Sequence, residues 1–242
     1  MRVRPNQRCR ICGQLCAMTQ EHLPPRAAGN NRPLRVRTLR SLVAGLKTGE
    51  RYPSGLWRFS LCARCNSLWG AKYVPAFVRW TSQAAEYHAR VKSDGAFLLP
   101  FAVQALSVAK EIAVMLLAMS EPDSIDLPHF TNLRRLVTHP KQHGRTPGFR
   151  FLTYFHRGPP VLEGVFAAID TSGGPAPMVF CQVGVDPLGY IVTADDKHSI
   201  AWAQRHDLCD ISYFFEQPHL VVRHDHLRLC SRTGEMPFRA SR

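Results

Sequence analysis

From position 148 onward, apolar and polar residues alternate in five runs: "GFRFLTYFHR", "PVLEGVFAAID", "APMVFCQVGV", "GYIVTAD" and "HLVVRHDHLRLC". A period of two is the mark of strands that bury one face. Gly158-Pro159-Pro160, Gly173-Gly174-Pro175 and Asp186-Pro187 punctuate these runs as turns. The pattern predicts a mostly antiparallel sheet. Upstream, the spacing becomes helical. "PAFVRWTSQAAEYHARVKSDG" (75–95) predicts a helix with Pro75 in its first turn and Gly95 at its end. The run "FLLPFAVQALSVAKEIAVMLLAMSEPD" predicts a helix over Phe101 to Met119, capped by Asp94 and buried on most sides. Lys110 and Glu111 interrupt that run, and Ile112 to Met119 is too short to span a bilayer. "DLPHFTNLRRLV" predicts one more helix.

The first 75 residues read differently. "LRVRTLRSLVAGL" (34–46) suits a strand running into a short helix, and "GLWRFSLC" (55–62) suits a strand. "NSLWGAKYV" suits a short helix interrupted near Gly70. The expected fold is therefore α+β. A small, turn-rich unit over 1–75 is followed by an accessory part over 76–242, first helices and then the sheet. No function is evident for the accessory part.

Charge changes this picture. The chain carries a net +13, and its first 64 residues hold thirteen Lys and Arg against two acids, a net of +11. Twelve of those thirteen cations are arginine, whose planar fork suits phosphate. A polyanion partner follows, with nucleic acid the natural candidate. Arg26, Arg32, Arg35, Arg37, Arg40, Arg58 and Arg64 are the expected contacts. The N-terminal "MRVRPNQRCR" has no apolar core behind it, so no signal peptide is expected, and no membrane partner. A cytoplasmic location with reduced thiols follows. There, paired cysteines point to metal before disulfide.

Two such pairs exist, Cys9-x-x-Cys12 and Cys62-x-x-Cys65. Together they offer four thiolates, a full tetrahedral set for structural Zn2+. Cys16 is an alternative to Cys9 or Cys12, although it falls outside the two-residue spacing. Cys181, Cys209 and Cys230 lie among the strands and read as core residues. Histidines in "HPKQH" (139–143) and "RHDHLRL" (223–229) read as polar-face residues.

Glu21-His22 follows the first cysteine pair, and Asn66 immediately follows the second. With "CRIC", "TQEHLPP" and "LCARCN" quoted in that order, the first 75 residues resemble the zinc-stapled branch of the HNH endonucleases, which have the ββα-metal fold. The resemblance implies a metal-dependent endonuclease that hydrolyses phosphodiester bonds in DNA, duplex or single-stranded. It implies His22 as general base, with Glu21 and Asn66 holding a catalytic Mg2+ or Mn2+. Cys9, Cys12, Cys62 and Cys65 would hold the zinc. Asn30 or Asn31 would orient the histidine. It further implies a place in bacterial antiviral defence or a mobile element, and recruitment by a larger protein or ribonucleoprotein complex. A homodimer would let two single-strand cuts act on one duplex. The alternative is a degenerate zinc-containing docking subunit that binds nucleic acid without cutting it.

Overall fold

A computed structural model describes residues 6–31, 33–36, 50–90, 95–139, 148–157, 161–169, 177–205, 208–214 and 223–233. The fold is α+β, as the pattern of the sequence predicts. Strands β1 (Asn6–Arg8), β2 (Leu15–His22) and β5 (Trp57–Cys62) form an antiparallel sheet in the order β1-β2-β5. The short strands β3 (Leu34–Val36) and β4 (Glu50–Tyr52) pair with each other. The predicted continuation of β3 into a helix lies outside the described residues.

The chain leaves β5 directly into helix α1 (Ala63–Arg90), 28 residues long. Two separate helices were expected here, with the second starting at Pro75. Instead one helix carries Pro75 in its interior. An interior proline costs a helix about 3 kcal/mol. An unbroken buried stripe offsets that cost: Cys65, Trp69, Tyr73, Phe77, Trp80 and Ala84 recur at three- and four-residue spacing. A boundary drawn at residue 75 therefore falls inside a helix.

The run after Gly95 also departs from expectation. Gly95–Val103 is a strand, β6, and the helix α2 begins only at Ala105 (Ala105–Met119). Phe101 and Val103 are buried while Leu98 is 65% exposed, which is strand alternation. Pro100 is tolerated because β6 is an edge strand that pairs only with β12 (Arg223–Thr233). Asp94, the expected cap, lies outside the described residues.

Helix α2 is central. Every residue from Ala105 to Ala118 is buried, including Lys110 and Glu111. It packs against α1, against α3 (Pro128–Thr138) and against β5. The four predicted sheet runs between 148 and 194 are strands β7 (Phe149–Arg157), β8 (Val161–Ile169), β9 (Pro177–Val185) and β10 (Leu188–Ala194). The large sheet runs β6-β12-β7-β10-β9-β8, with β11 (Cys209–Asp210) also on β7. All its pairings are antiparallel except β12 with β7. Helix α4 (Lys197–Arg205) follows β10.

One apolar cluster joins the N-terminal unit to α2, α3 and the sheet, from Ile11, Met18 and Leu61 through Trp80 and Met115 to Phe155. Polar links reinforce it. Arg134 Nε of α3 donates to Ile11 O at 2.8 Å, and Arg8 pairs with Asp126 at 2.7 Å.

Candidate functional site

The first cysteine pair sits in a tight turn between β1 and β2. Gly13 N donates to Cys9 O and Cys9 N to Gln14 O, closing the loop. Gly13 has φ +76°, a conformation that favours glycine. The second pair spans the junction of β5 and α1. Because β2 pairs with β5, opposite Met18↔Cys62, the two turns meet. The sulfurs of Cys9, Cys12, Cys62 and Cys65 all lie within 4.8 Å of one another. Four sulfurs bound to one zinc would be about 3.8 Å apart, from the usual Zn–S length. The cluster is thus close enough to hold a metal ion such as zinc. Cys62 N donates to Cys9 Sγ and Cys65 N to Cys62 Sγ, each at 3.4 Å, as suits sulfurs carrying negative charge. The Cys65 thiol and then the backbone N–H groups of Cys62, Cys12 and Ile11 push the Cys9 thiol down, while its neighbours Cys12 and Cys65 are pushed up. A charge on Cys9 disfavours charge on Cys12 and Cys65, and a bound dication would offset that repulsion. Cys16 is not part of the cluster. Its Sγ points to Gln14 O at 3.4 Å.

Glu21 and His22 end β2. A bulge in β5 controls how they face. Thr19 and Gln20 are neighbours on β2, yet they oppose Leu61 and Phe59, so Ser60 is the extra residue. Along β2 the buried positions shift from Met18 to Glu21 and then Leu23 across that bulge. Glu21 is therefore only 9% exposed, and burial pushes its carboxyl up to about 7. His22 is half-buried. Its Nε2 lies 3.4 Å from Gln20 Nε2, and its buried Nδ1 has no hydrogen-bond partner among the described residues. Burial and then the charge of Arg26 push the imidazole down, so it is neutral at pH 7.

Asn66 lies in the first turn of α1, immediately after the cysteine turn. Its Nδ2 donates to Thr19 Oγ1 at 3.0 Å and to Gln20 O at 3.3 Å. Both contacts are on β2 next to Glu21. With the amide N–H groups spent there, Oδ1 is the polar atom left to face a ligand.

Asn30 is fully buried. Its Nδ2 donates to Pro24 O at 2.6 Å and Leu56 O at 2.8 Å, and its Oδ1 accepts from Leu56 N at 2.8 Å. It clamps the loop after His22 to the start of β5. Among the described residues its polar contacts are to backbone, none to the imidazole. Asn31 is exposed in the same loop.

Of the seven expected arginines, Arg26 lies beside His22, Arg58 opposes Glu21 in the strand register, and Arg64 shares the first turn of α1 with Asn66. All three are exposed. Arg35 is in β3, while Arg32, Arg37 and Arg40 lie outside the described residues.

One residue of interest had no role in the sequence reading beyond interrupting an apolar run. Glu111 of α2 is 1% exposed, and its Oε2 has no partner among the described residues. Burial and then the charge of Glu21 push its carboxyl up. A carboxylate within a helix that is otherwise apolar except for Ser107 and Lys110 was the available signal, since such a group is buried only when something compensates it.

No protein-family model, no curated protein and no solved structure matches the chain. Among the described residues, no helix is long and apolar enough to cross a membrane.

Proposed function

We propose that the unit around Glu21, His22 and Asn66 is a metal-dependent, HNH-type endonuclease that hydrolyses phosphodiester bonds in DNA. The observation that carries the reading is the docking of Asn66. Its amide is spent on Thr19 and Gln20, so its carbonyl oxygen and the Glu21 carboxylate come from neighbouring points of one strand–helix junction. The four-cysteine cluster holds that junction together, with zinc as the ion that suits four sulfurs. Oxygen ligands suit a hard cation, so the two donor sets would take different metals.

A bound Mg2+ or Mn2+ on Glu21 and Asn66 Oδ1 would polarise the phosphate and neutralise the leaving oxygen. His22, neutral at pH 7 and with Nδ1 unpaired, would take the proton of the attacking water. Arg26, Arg58 and Arg64 would hold flanking phosphates. Recruitment by a partner complex, in bacterial defence or a mobile element, is what the resemblance adds to this reading.

A second reading is favoured by the burial of Glu21. If that carboxylate stays with Glu111 in the interior, the chain is a nucleic-acid docking subunit with zinc and no catalytic metal. The test is cleavage of plasmid and single-stranded DNA with magnesium, manganese or neither, comparing wild type with His22→Ala. Metal-dependent cutting that disappears in the variant supports the nuclease. DNA binding without cutting under any condition supports the docking subunit.

A further inference from the structure

A cleft of about 460 Å³ opens on the outer side of β5, between β4 and the C-terminal end of α2. Its size falls within the roughly 300–1,000 Å³ of small-molecule sites. Three aromatic residues line it, Tyr52, Trp57 and Phe59, together with three arginines, Arg10, Arg51 and Arg58. Glu121 is the one acid in the lining.

The arginines divide into two kinds. Arg10 is 5% exposed and is largely consumed by the protein: its Nε donates to Ser120 O at 3.0 Å, and its other nitrogens donate to Arg8 O and Gln7 Oε1. It caps the end of the α2 segment, where unpaired carbonyls would otherwise repel an anion. Arg51 and Arg58 are exposed at the mouth.

The aromatic wall is built by strand geometry. Trp57 and Phe59 are two apart on β5, with ring centroids 5.3 Å apart in an edge arrangement. Ser60, the extra residue of the bulge, also lines the cleft. Ser60 is 1% exposed, yet its Oγ has no partner among the described residues. A buried hydroxyl without a partner is costly, and a ligand that hydrogen-bonds to it would remove that cost.

An apolar π-surface, two exposed guanidinium forks and a buried hydroxyl suit one kind of ligand. We propose that this cleft binds a single nucleotide unit, with its base against Trp57 and Tyr52, its phosphate on Arg51 and Arg58, and a polar edge on Ser60. The unit is either a free nucleoside 5′-phosphate or one unstacked nucleotide of a single strand. Trp57 opposes His22 and Arg58 opposes Glu21 in the strand register, so a strand seated here would run past those residues. The proposal does not rest on the nuclease reading, because binding requires neither the catalytic metal nor cutting.

The test is equilibrium binding of the full chain with no magnesium or manganese added. The probes are a fluorescein-labelled twelve-nucleotide single strand, the duplex of the same sequence, AMP and ribose 5-phosphate. The variants are Trp57→Leu and Ser60→Ala, each checked for an unchanged thermal midpoint. Base stacking on an aromatic side chain predicts that AMP outbinds ribose 5-phosphate by at least about fivefold. Trp57→Leu should remove that preference, and Ser60→Ala should weaken AMP several-fold with the fold intact. If AMP does not bind, but Trp57→Leu weakens the single strand and spares the duplex, the nucleotide comes from a strand. Equal binding of AMP and ribose 5-phosphate, or unchanged single-strand and AMP binding in Ser60→Ala and Trp57→Leu, overturns the proposal. Should Trp57→Leu fail to fold, Ser60→Ala and the ribose 5-phosphate comparison decide alone.

Discussion

Asn30→Ala should unlatch the loop that follows His22. The side chain makes three hydrogen bonds and is fully buried. Not all three partners are orphaned by its removal. Leu56 O also accepts from Leu23 N at 3.0 Å and keeps that partner. Pro24 O and Leu56 N are left buried without one. Each such group costs about 1–3 kcal/mol, so the loss is about 2–6 kcal/mol. For a chain of this size each kcal/mol moves the melting temperature by about 2–4 °C, so a fall of about 10 °C is expected. Gly55→Ala offers an independent route to the same latch. Gly55 has φ +84°, and a Cβ there would stand 2.2 Å from Asn30 O and 2.4 Å from Asn30 Oδ1. Both variants should therefore open the same segment. Calorimetry measures the midpoint, and hydrogen exchange at the Leu56 amide measures the latch itself. A fall under about 3 °C for Asn30→Ala, with Leu56 still protected, would refute the reasoning, because it would mean that water or the backbone replaces the lost partners.

Further expectations follow from the same geometry. Cys62→Ser should lose bound zinc and lower the melting temperature, as measured by metal analysis and calorimetry; unchanged zinc content would sink the four-cysteine site. Glu111→Gln should gain on wild type as pH rises from 5 to 9 in urea titrations. The Glu111 carboxyl is pushed up in the folded state, so its favourable contribution is full below the ordinary glutamate range and is lost as pH climbs through the folded value. Parallel profiles for the two proteins would show that Glu111 titrates alike in the folded and unfolded states, and so is not buried. If the chain cuts DNA, the acidic limb of its rate profile should fall below the ordinary histidine value, because burial and Arg26 push His22 down, and His22→Ala should abolish that limb with the cutting.

Some features of this molecule were legible in the sequence because they depend on residue type at short range. Two Cys-x-x-Cys pairs need only their own spacing to suggest a four-sulfur site, and the structure brings those sulfurs together. The alternating runs after Gly148 each became a strand. Other features depended on partners far along the chain. The run "FLLPFAV" is apolar enough for either element, and pairing with β12 decides for a strand. Pro75 looks like a helix start, but the stripe from Cys65 to Ala84 holds one helix through it. Asn30 was expected to serve the histidine, and its contacts instead run to the backbone of Pro24 and Leu56.

The inward turn of Glu21 was the least legible of all, for a reason that bears on function. Strand periodicity within β2 cannot fix which way Glu21 faces, because the register shift opposite Thr19 and Gln20 comes from an extra residue on β5. That one bulge goes with the burial of Glu21, on which Glu111 acts electrostatically, and it places Ser60 in the lining of the aromatic cleft. Two like carboxyls buried together are stable only if at least one is protonated or a cation joins them. Burial pushes both carboxyls up, in keeping with the first course. The bulge thus links the strand that would carry the base to the cleft that would seat a nucleotide, and no property of either strand alone specifies that link.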